Sequence, residues 1–166
     1  MKTTTIILDH NQINQKIIRI AYQIYEANSS EKEVVIAGIQ GNGIYFAEQL
    51  ATSLEQISSL KIILCEVYID KKNPLNAITT SIKKIEYKNK PIVLVDDVLN
   101  SGTTLMYGIK YFLDVPLKRF KTAVLVNRNH KKYPVKADFK GISLSTSIKE
   151  HVKVVFDKKN SKAFLM

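Results

Sequence analysis

Residues 92–104 read Ile92-Val93-Leu94-Val95-Asp96-Asp97-Val98-Leu99-Asn100-Ser101-Gly102-Thr103-Thr104. The four apolar residues have the pattern of a strand buried on both faces, and two carboxylates end it. A turn of small and hydroxyl-bearing residues follows. From Thr103 to Asp114 the apolar spacing predicts a helix, stopped by Pro116. In open α/β sheets, ligands bind at such C-terminal strand edges. Backbone N–H groups at the start of the helix, with the Ser and Thr hydroxyls beside them, suit a phosphate. Two carboxylates at the same place would repel a bare phosphate. Ribose hydroxyls or a hydrated Mg²⁺ resolve the conflict, because both take carboxylate contacts. The stretch therefore predicts a ribose-phosphate ligand with Mg²⁺. The plainer alternative is a strand–turn–helix junction in which Ser101 or Thr103 caps the helix and Asp96 and Asp97 are solvated turn residues.

Working outward, the apolar spacing of Ile13, Ile17, Ile20, Ala21 and Ile24 predicts a helix over 11–27, with Asp9 or Asn11 as its cap. Residues 34–39 read as a buried strand, broken by Gly41-Asn42-Gly43, and residues 44–60 as a helix. Residues 61–69 form a second strand. Residues 70–90 are polar and predict a loop or loose hairpin, long enough to serve as a lid. Strands follow at 122–126, near 137–144 and near 152–156, with a basic loop at 127–134. Strands alternating with helices predict a single α/β domain over 1–166, with a mainly parallel twisted sheet flanked by helices.

Composition excludes several classes. The chain has 166 residues, 45% hydrophobic and 24% charged, which is ordinary for one globular domain. No apolar run approaches the ~20 residues of a membrane span, and Met1-Lys2-Thr3-Thr4-Thr5-Ile6 does not read as a secretion signal. The single cysteine, Cys65, cannot pair within the chain and reads as a buried inert thiol. A reducing cytoplasm is the expected setting, with no membrane partner. The three histidines, His10, His130 and His151, have no metal-ligand spacing. The net charge of +10 lies in one part of the chain: residues 1–116 hold 12 basic and 12 acidic residues, residues 117–166 hold 13 and 3. Such asymmetry points to anionic partners.

The stretch 92–104 resembles the signature with which type I phosphoribosyltransferases bind 5-phosphoribosyl 1-diphosphate (PRPP). The likeness extends over residues 5–157 through Ile6-Ile7-Leu8-Asp9, Ala37-Gly38-Ile39, Gly43-Ile44-Tyr45, Ala123-Val124-Leu125-Val126 with Arg128 and His130, Pro134, Ala137-Asp138, Gly141 and Ser145-Thr146-Ser147. These residues resemble one branch, the pyrimidine-operon attenuator and uracil phosphoribosyltransferase family (PyrR). The resemblance implies the type I phosphoribosyltransferase fold, with a small hood, a mobile lid and a homodimeric assembly. It also implies transfer of phosphoribosyl from PRPP to a nucleobase, uracil first, with Mg²⁺ as cofactor, in pyrimidine salvage. The products are pyrophosphate and a nucleoside monophosphate. Asp96 and Asp97 take the catalytic and metal-holding places, meeting the ribose hydroxyls directly or through the Mg²⁺ water shell. Val98, Leu99, Asn100, Ser101, Gly102, Thr103 and Thr104 complete the PRPP site. Gln40, Gly41, Asn42 and Gly43 fall at the pyrophosphate loop, Asp70, Lys71 and Lys72 at the lid, and Asn127, Arg128 and His151 at base recognition.

Two stretches depart from that family. Its pyrophosphate loop usually reads Thr-Arg-Gly, where this chain has Gly41-Asn42-Gly43 and no cation. Its lid usually carries Tyr-Arg-Asp-Asp, where this chain has Tyr68-Ile69-Asp70-Lys71-Lys72 in a shorter loop. Lysine there is a point charge without arginine's bidentate fork. These changes bear on turnover more than on PRPP binding. They keep open a second function, a nucleotide-sensing RNA-binding regulator with little catalysis, whose basic face is Arg19, Arg128, His130, Lys131, Lys132, Lys136 and Lys140. A purine phosphoribosyltransferase on the same scaffold is the third.

Overall fold

The buried runs of the sequence find one another as a parallel sheet. In the computed structural model, which describes residues 4–166, the elements are β1 (Thr5–Leu8), α1 (His10–Ala27), β2 (Glu33–Ile39), α2 (Asn42–Ile57), β3 (Lys61–Tyr68), β4 (Thr79–Thr80), α3 (Lys84–Tyr87), β5 (Pro91–Leu99), α4 (Thr103–Phe112), β6 (Arg119–Asn127), β7 (Phe139–Ser143), β8 (Val152–Val155) and β9 (Lys162–Leu165). The expectation about the leader stretch rests partly on Met1, Lys2 and Thr3, which lie outside the described residues. A six-stranded sheet runs β4-β3-β2-β5-β6-β7, parallel except for β4 at its edge. A three-stranded antiparallel sheet, β1-β9-β8, forms a separate hood.

Each helix forms where one face is apolar. In α1 the buried residues are Ile13, Ile17, Ile20, Ala21 and Ile24. Asp9 caps it, accepting from the Gln12 N–H at 2.8 Å while the Gln12 side chain accepts from the Asp9 N–H at 2.9 Å. With α2, this helix covers one face of the large sheet over Val34, Ile36, Val93 and Val95. The other face holds Val35, Ala37, Leu94 and Val124 under Leu105 and Phe112 of α4.

Three expectations are corrected here. Asp96 and Asp97 do not end their strand. β5 runs on to Leu99, because β6 pairs with it as far as Leu99↔Asn127. The hood has two strands with no counterpart in the reading by periodicity, β1 and β9, joined as Thr5↔Leu165 and Ile6↔Phe164. Finally, the 70–90 segment takes the hairpin alternative and adds a short helix that its polar composition did not predict. β4 pairs back on β3, as a hairpin requires, and the short α3 buries Tyr87 edge-on against Phe112 at 5.0 Å.

The approach of α2 to the sheet is close, and glycine permits it. A Cβ at Gly38 would lie 2.6 Å from the Gly43 carbonyl oxygen and 2.7 Å from the Ala47 Cβ and the Ile44 Cα. Backbone on both sides leaves no soft neighbour to give way. Gly38→Ala is therefore expected to destabilise the fold by about 2–3 kcal/mol, measured as a lower urea midpoint with unchanged slope.

Candidate functional site

The C-terminal edge of β5 and the first turn of α4 enclose a cleft of about 160 Å³, lined by residues 96–105 with Lys71 across it. The parallel register of β5 places Asp96 and Asp97 at that edge between the ends of β2 and β6. Asp96 is 4% exposed. Its Oδ1 accepts from the Asp97 N–H at 2.9 Å, and the Lys71 ammonium lies 3.7 Å from the same oxygen. Asp97 is half-buried. Its Oδ1 accepts from the Val98 N–H at 2.9 Å, and its Oδ2 accepts from the Asn42 amide, also at 2.9 Å.

Burial pushes the Asp96 carboxyl up to about 7, with the Asp97 charge adding to the rise and Lys71 opposing it. The pair is thus short of positive charge. Two adjacent carboxylates with one distant ammonium fit a hydrated Mg²⁺ that keeps most of its waters and shares a phosphate. Among the described residues, no cluster of three or more Asp, Glu, His or Cys forms a protein cage for a metal.

Next along the chain lies the turn into α4. Gly102 has φ +83°, and a Cβ there would lie 2.4 Å from Val135 Cγ1, so both backbone and packing demand glycine. The Ser101 and Thr103 hydroxyls share a 2.8 Å hydrogen bond, and Gly102, Thr103 and Thr104 at the start of α4 line the cleft. The Ser101 carbonyl accepts from the Lys132 N–H at 2.7 Å and the Tyr133 N–H at 3.1 Å, which ties the basic loop to this turn. Thr104 and the backbone of Leu99 complete the lining, and the Leu99 side chain is buried in the core.

The remaining site residues divide. At the turn after β2, Gln40 donates its N–H to the Val67 carbonyl at 2.8 Å, and Asn42 turns inward toward Asp97. On the lid, Asp70 organises the loop: its carboxylate accepts from the Lys72 N–H at 2.9 Å, the Asn73 N–H at 3.1 Å and the Asn76 amide at 2.9 Å. Those bonds hold Asp70 below the usual carboxylate range. Lys71 reaches the acidic pair, whereas Lys72 is exposed.

Arg128 turns its guanidinium onto the protein and away from solvent, which takes it out of the exposed basic face. It is 7% exposed and donates to Thr146 Oγ1 at 2.8 Å, Asn100 Oδ1 at 3.3 Å, the Ser147 carbonyl at 3.0 Å and the Glu150 carbonyl. It clamps the 144–150 loop beside the phosphate turn. His130 joins that clamp through the Thr146 carbonyl. Asn127 is buried at the end of β6, 3.5 Å from the Ser143 hydroxyl, and His151 is exposed where β8 begins. Arg19 donates to the Lys140 and Gly141 carbonyls at 3.1 and 2.7 Å, so its charge covers the open edge of β7. Lys131, Lys132, Lys136 and Lys140 remain exposed without an ion pair among the described residues. The buried Cys65 thiol, pushed up to about 11 chiefly by burial, is inert.

Comparison with known proteins agrees with this geometry. The phosphoribosyl transferase domain family matches residues 3–159. A "Bifunctional protein PyrR" of Caldicellulosiruptor bescii is 34% identical over 159 residues, covering 91% of this chain and 87% of that protein. Another, from Geobacter sulfurreducens, is 33% identical over 168 residues, covering 96% and 95%. In fold, the chain is similar to the hypoxanthine phosphoribosyltransferase of Trypanosoma cruzi, with a TM-score of 0.74 over 89% of this chain and 84% of that one at 14% identity. It is also similar to a hypoxanthine-guanine phosphoribosyltransferase of Bacillus anthracis, with a TM-score of 0.71 over 92% and 87% at 19% identity.

The raised Asp96 carboxyl yields a stability test. Above pH 7 the folded state holds a carboxylate at a burial cost. Below that pH it gains a proton that the unfolded chain, with a carboxyl near ~3.9, does not take up until far lower pH. This group's contribution to stability therefore falls as pH rises from about 4 to 7. Asp96→Asn removes the ionisation cost, so it is expected to stabilise the ligand-free protein by about 1–3 kcal/mol at pH 8, and by less at pH 5. Urea unfolding of both proteins at the two pH values measures this difference.

Proposed function

This chain belongs to the phosphoribosyl transferase domain family, and from that premise we propose that it transfers the 5-phosphoribosyl group of PRPP to a nucleobase, uracil first, releasing pyrophosphate. The observation that carries the reading is the juxtaposition of the Asp96–Asp97 pair with the hydroxyl-lined turn and N-terminus of α4 in one cleft. Asp97, with Asp96 behind it, meets the ribose hydroxyls. Ser101, Thr103, Thr104 and the first N–H groups of α4 hold the 5′-phosphate. A ring nitrogen of the base forms the new bond to C1 as the bond from C1 to pyrophosphate oxygen breaks, and the nitrogen's proton leaves to solvent or to pyrophosphate. Mg²⁺ held through water by Asp96 and Asp97 would supply charge to the leaving pyrophosphate. Lys71, carried on the lid, is placed to add its ammonium as the lid closes and excludes water.

The test is pyrophosphate release from PRPP with Mg²⁺ across uracil, hypoxanthine, guanine, xanthine, adenine and orotate. Release with uracil is expected, reduced about 100-fold or more in Asp97→Asn. Release with a purine alone would replace uracil by that base. Release with no base would overturn the enzyme reading.

A second reading, an RNA-binding regulator that senses nucleotide, is favoured by the exposed lysines of the loop anchored to Ser101. If it holds, RNA affinity falls with salt. Replacing Lys131, Lys132 and Lys136 together by alanine lowers the slope of log K against log salt by about 1 for each phosphate that is no longer neutralised. Equal slopes in the two proteins exclude this face.

A further inference from the structure

The turn between β2 and α2 falls where the related family places a cation for pyrophosphate, and its inward-facing polar side chain, Asn42, has a different set of partners. The Asn42 Nδ2 donates to Asp97 Oδ2 at 2.9 Å and to the Val154 carbonyl at 2.9 Å. An amide nitrogen carries two hydrogens, so both are used. The two acceptors belong to different parts of the fold. Asp97 stands on β5 of the large sheet, and Val154, 4% exposed, stands on β8, an outer strand of the hood. Asn42 itself opens α2. One side chain thus joins the acidic pair, the helix and the hood. The choice of asparagine follows from the chemistry. A carboxylate and a backbone carbonyl converge on a single nitrogen, which asks for a short side chain with two donors on one atom. Aspartate would present a third acceptor, and an aliphatic residue would leave the buried Val154 carbonyl without its donor.

The surroundings make this link tight. Asp97 Oδ1 is held by the Val98 N–H, so with Asn42 on Oδ2 the carboxylate is fixed at both oxygens. Beside the Val154 contact, Phe156 stacks on Tyr45 of α2 at 4.8 Å. The hood therefore meets α2 through one polar bond and the Phe156 ring, which also stacks on Phe46 at 6.1 Å.

We infer that Asn42 is a positioning residue that holds the Asp97 carboxylate and hood strand β8 as one unit, so that ligand contact at Asp97 is passed to the hood, and that it is not a pyrophosphate contact. The inference rests on the proposed reading that Asp97 meets PRPP, but its structural half stands apart from that reading and is tested separately.

The experiment uses Asn42→Ala and the near-isosteric Asn42→Asp, the second serving also if the first does not fold. In ligand-free protein, amide hydrogen exchange in β8 and β9 is expected to speed up about tenfold in both variants, while β2, β5 and β6 keep their protection. With Mg²⁺ and PRPP, the wild-type hood gains protection and the variants lose that gain, while calorimetric PRPP affinity falls about tenfold. Affinity of Asn42→Ala for inorganic pyrophosphate stays within about twofold, since that change removes no pyrophosphate contact and adds no charge. Unchanged hood exchange overturns the inference, as does weakened pyrophosphate binding with an undisturbed hood. If wild-type protein binds no PRPP, the functional reading fails on its own, and the ligand-free exchange comparison still decides whether Asn42 ties the hood.

Discussion

Two carboxylates side by side at the end of a buried strand are an unfavourable arrangement, and the surrounding structure answers it. Asp96 lies out of water beside the Asp97 charge, and its raised carboxyl shows that the protein compensates the pair only in part. What compensation exists comes from every side: the Asp97 and Val98 N–H groups along the strand, the Asn42 amide from α2, and the Lys71 ammonium from the lid. None of these is a close, bidentate cation. A fully neutralised pair would carry less of this burial cost. On the proposed reading, the residual deficit of positive charge is what a ribose diol or a hydrated cation would relieve.

The elements read most clearly from the sequence are those whose signal is local. The α1 face shows in the spacing of its isoleucines, and its cap, Asp9, was one of the two residues the sequence offered. β2 and β5 show as unbroken apolar runs because the parallel sheet buries both their faces. The acidic pair and the turn after it were legible for the same reason, since strand, turn and helix are contiguous. Illegible were the features whose partner lies far along the chain. β1 and β9 are four residues each and exist only through Thr5↔Leu165 and its neighbours. Leu99 extends β5 because Asn127 stands across from it. Arg128 read in sequence as part of the basic face, yet two of its acceptors are main-chain carbonyls of the 144–150 loop, and a carbonyl leaves no mark in the residue code. Asn42 was visible as a departure from a related pattern, but not as a bridge, because one of its two partners is again a carbonyl.

The distribution of charge now has a structural meaning. The chain is neutral through residue 116 and carries its whole excess beyond it, yet the acidic pair draws its one ammonium from the lid, within the neutral part. The exposed lysines of the β6–β7 connection lie outside the cleft, but their backbone does not. The Lys132 and Tyr133 N–H groups both bond to the Ser101 carbonyl, and Val135 packs on Gly102. A phosphate that orders the Ser101–Thr104 turn therefore orders the root of the basic loop as well. On the proposed readings, a nucleotide in the cleft and a polyanion on the loop share this turn, and any coupling between them is reciprocal. The turn before α2 carries no cation and is instead occupied in holding Asp97 and the hood together, while the lysines stand beside the turn before α4.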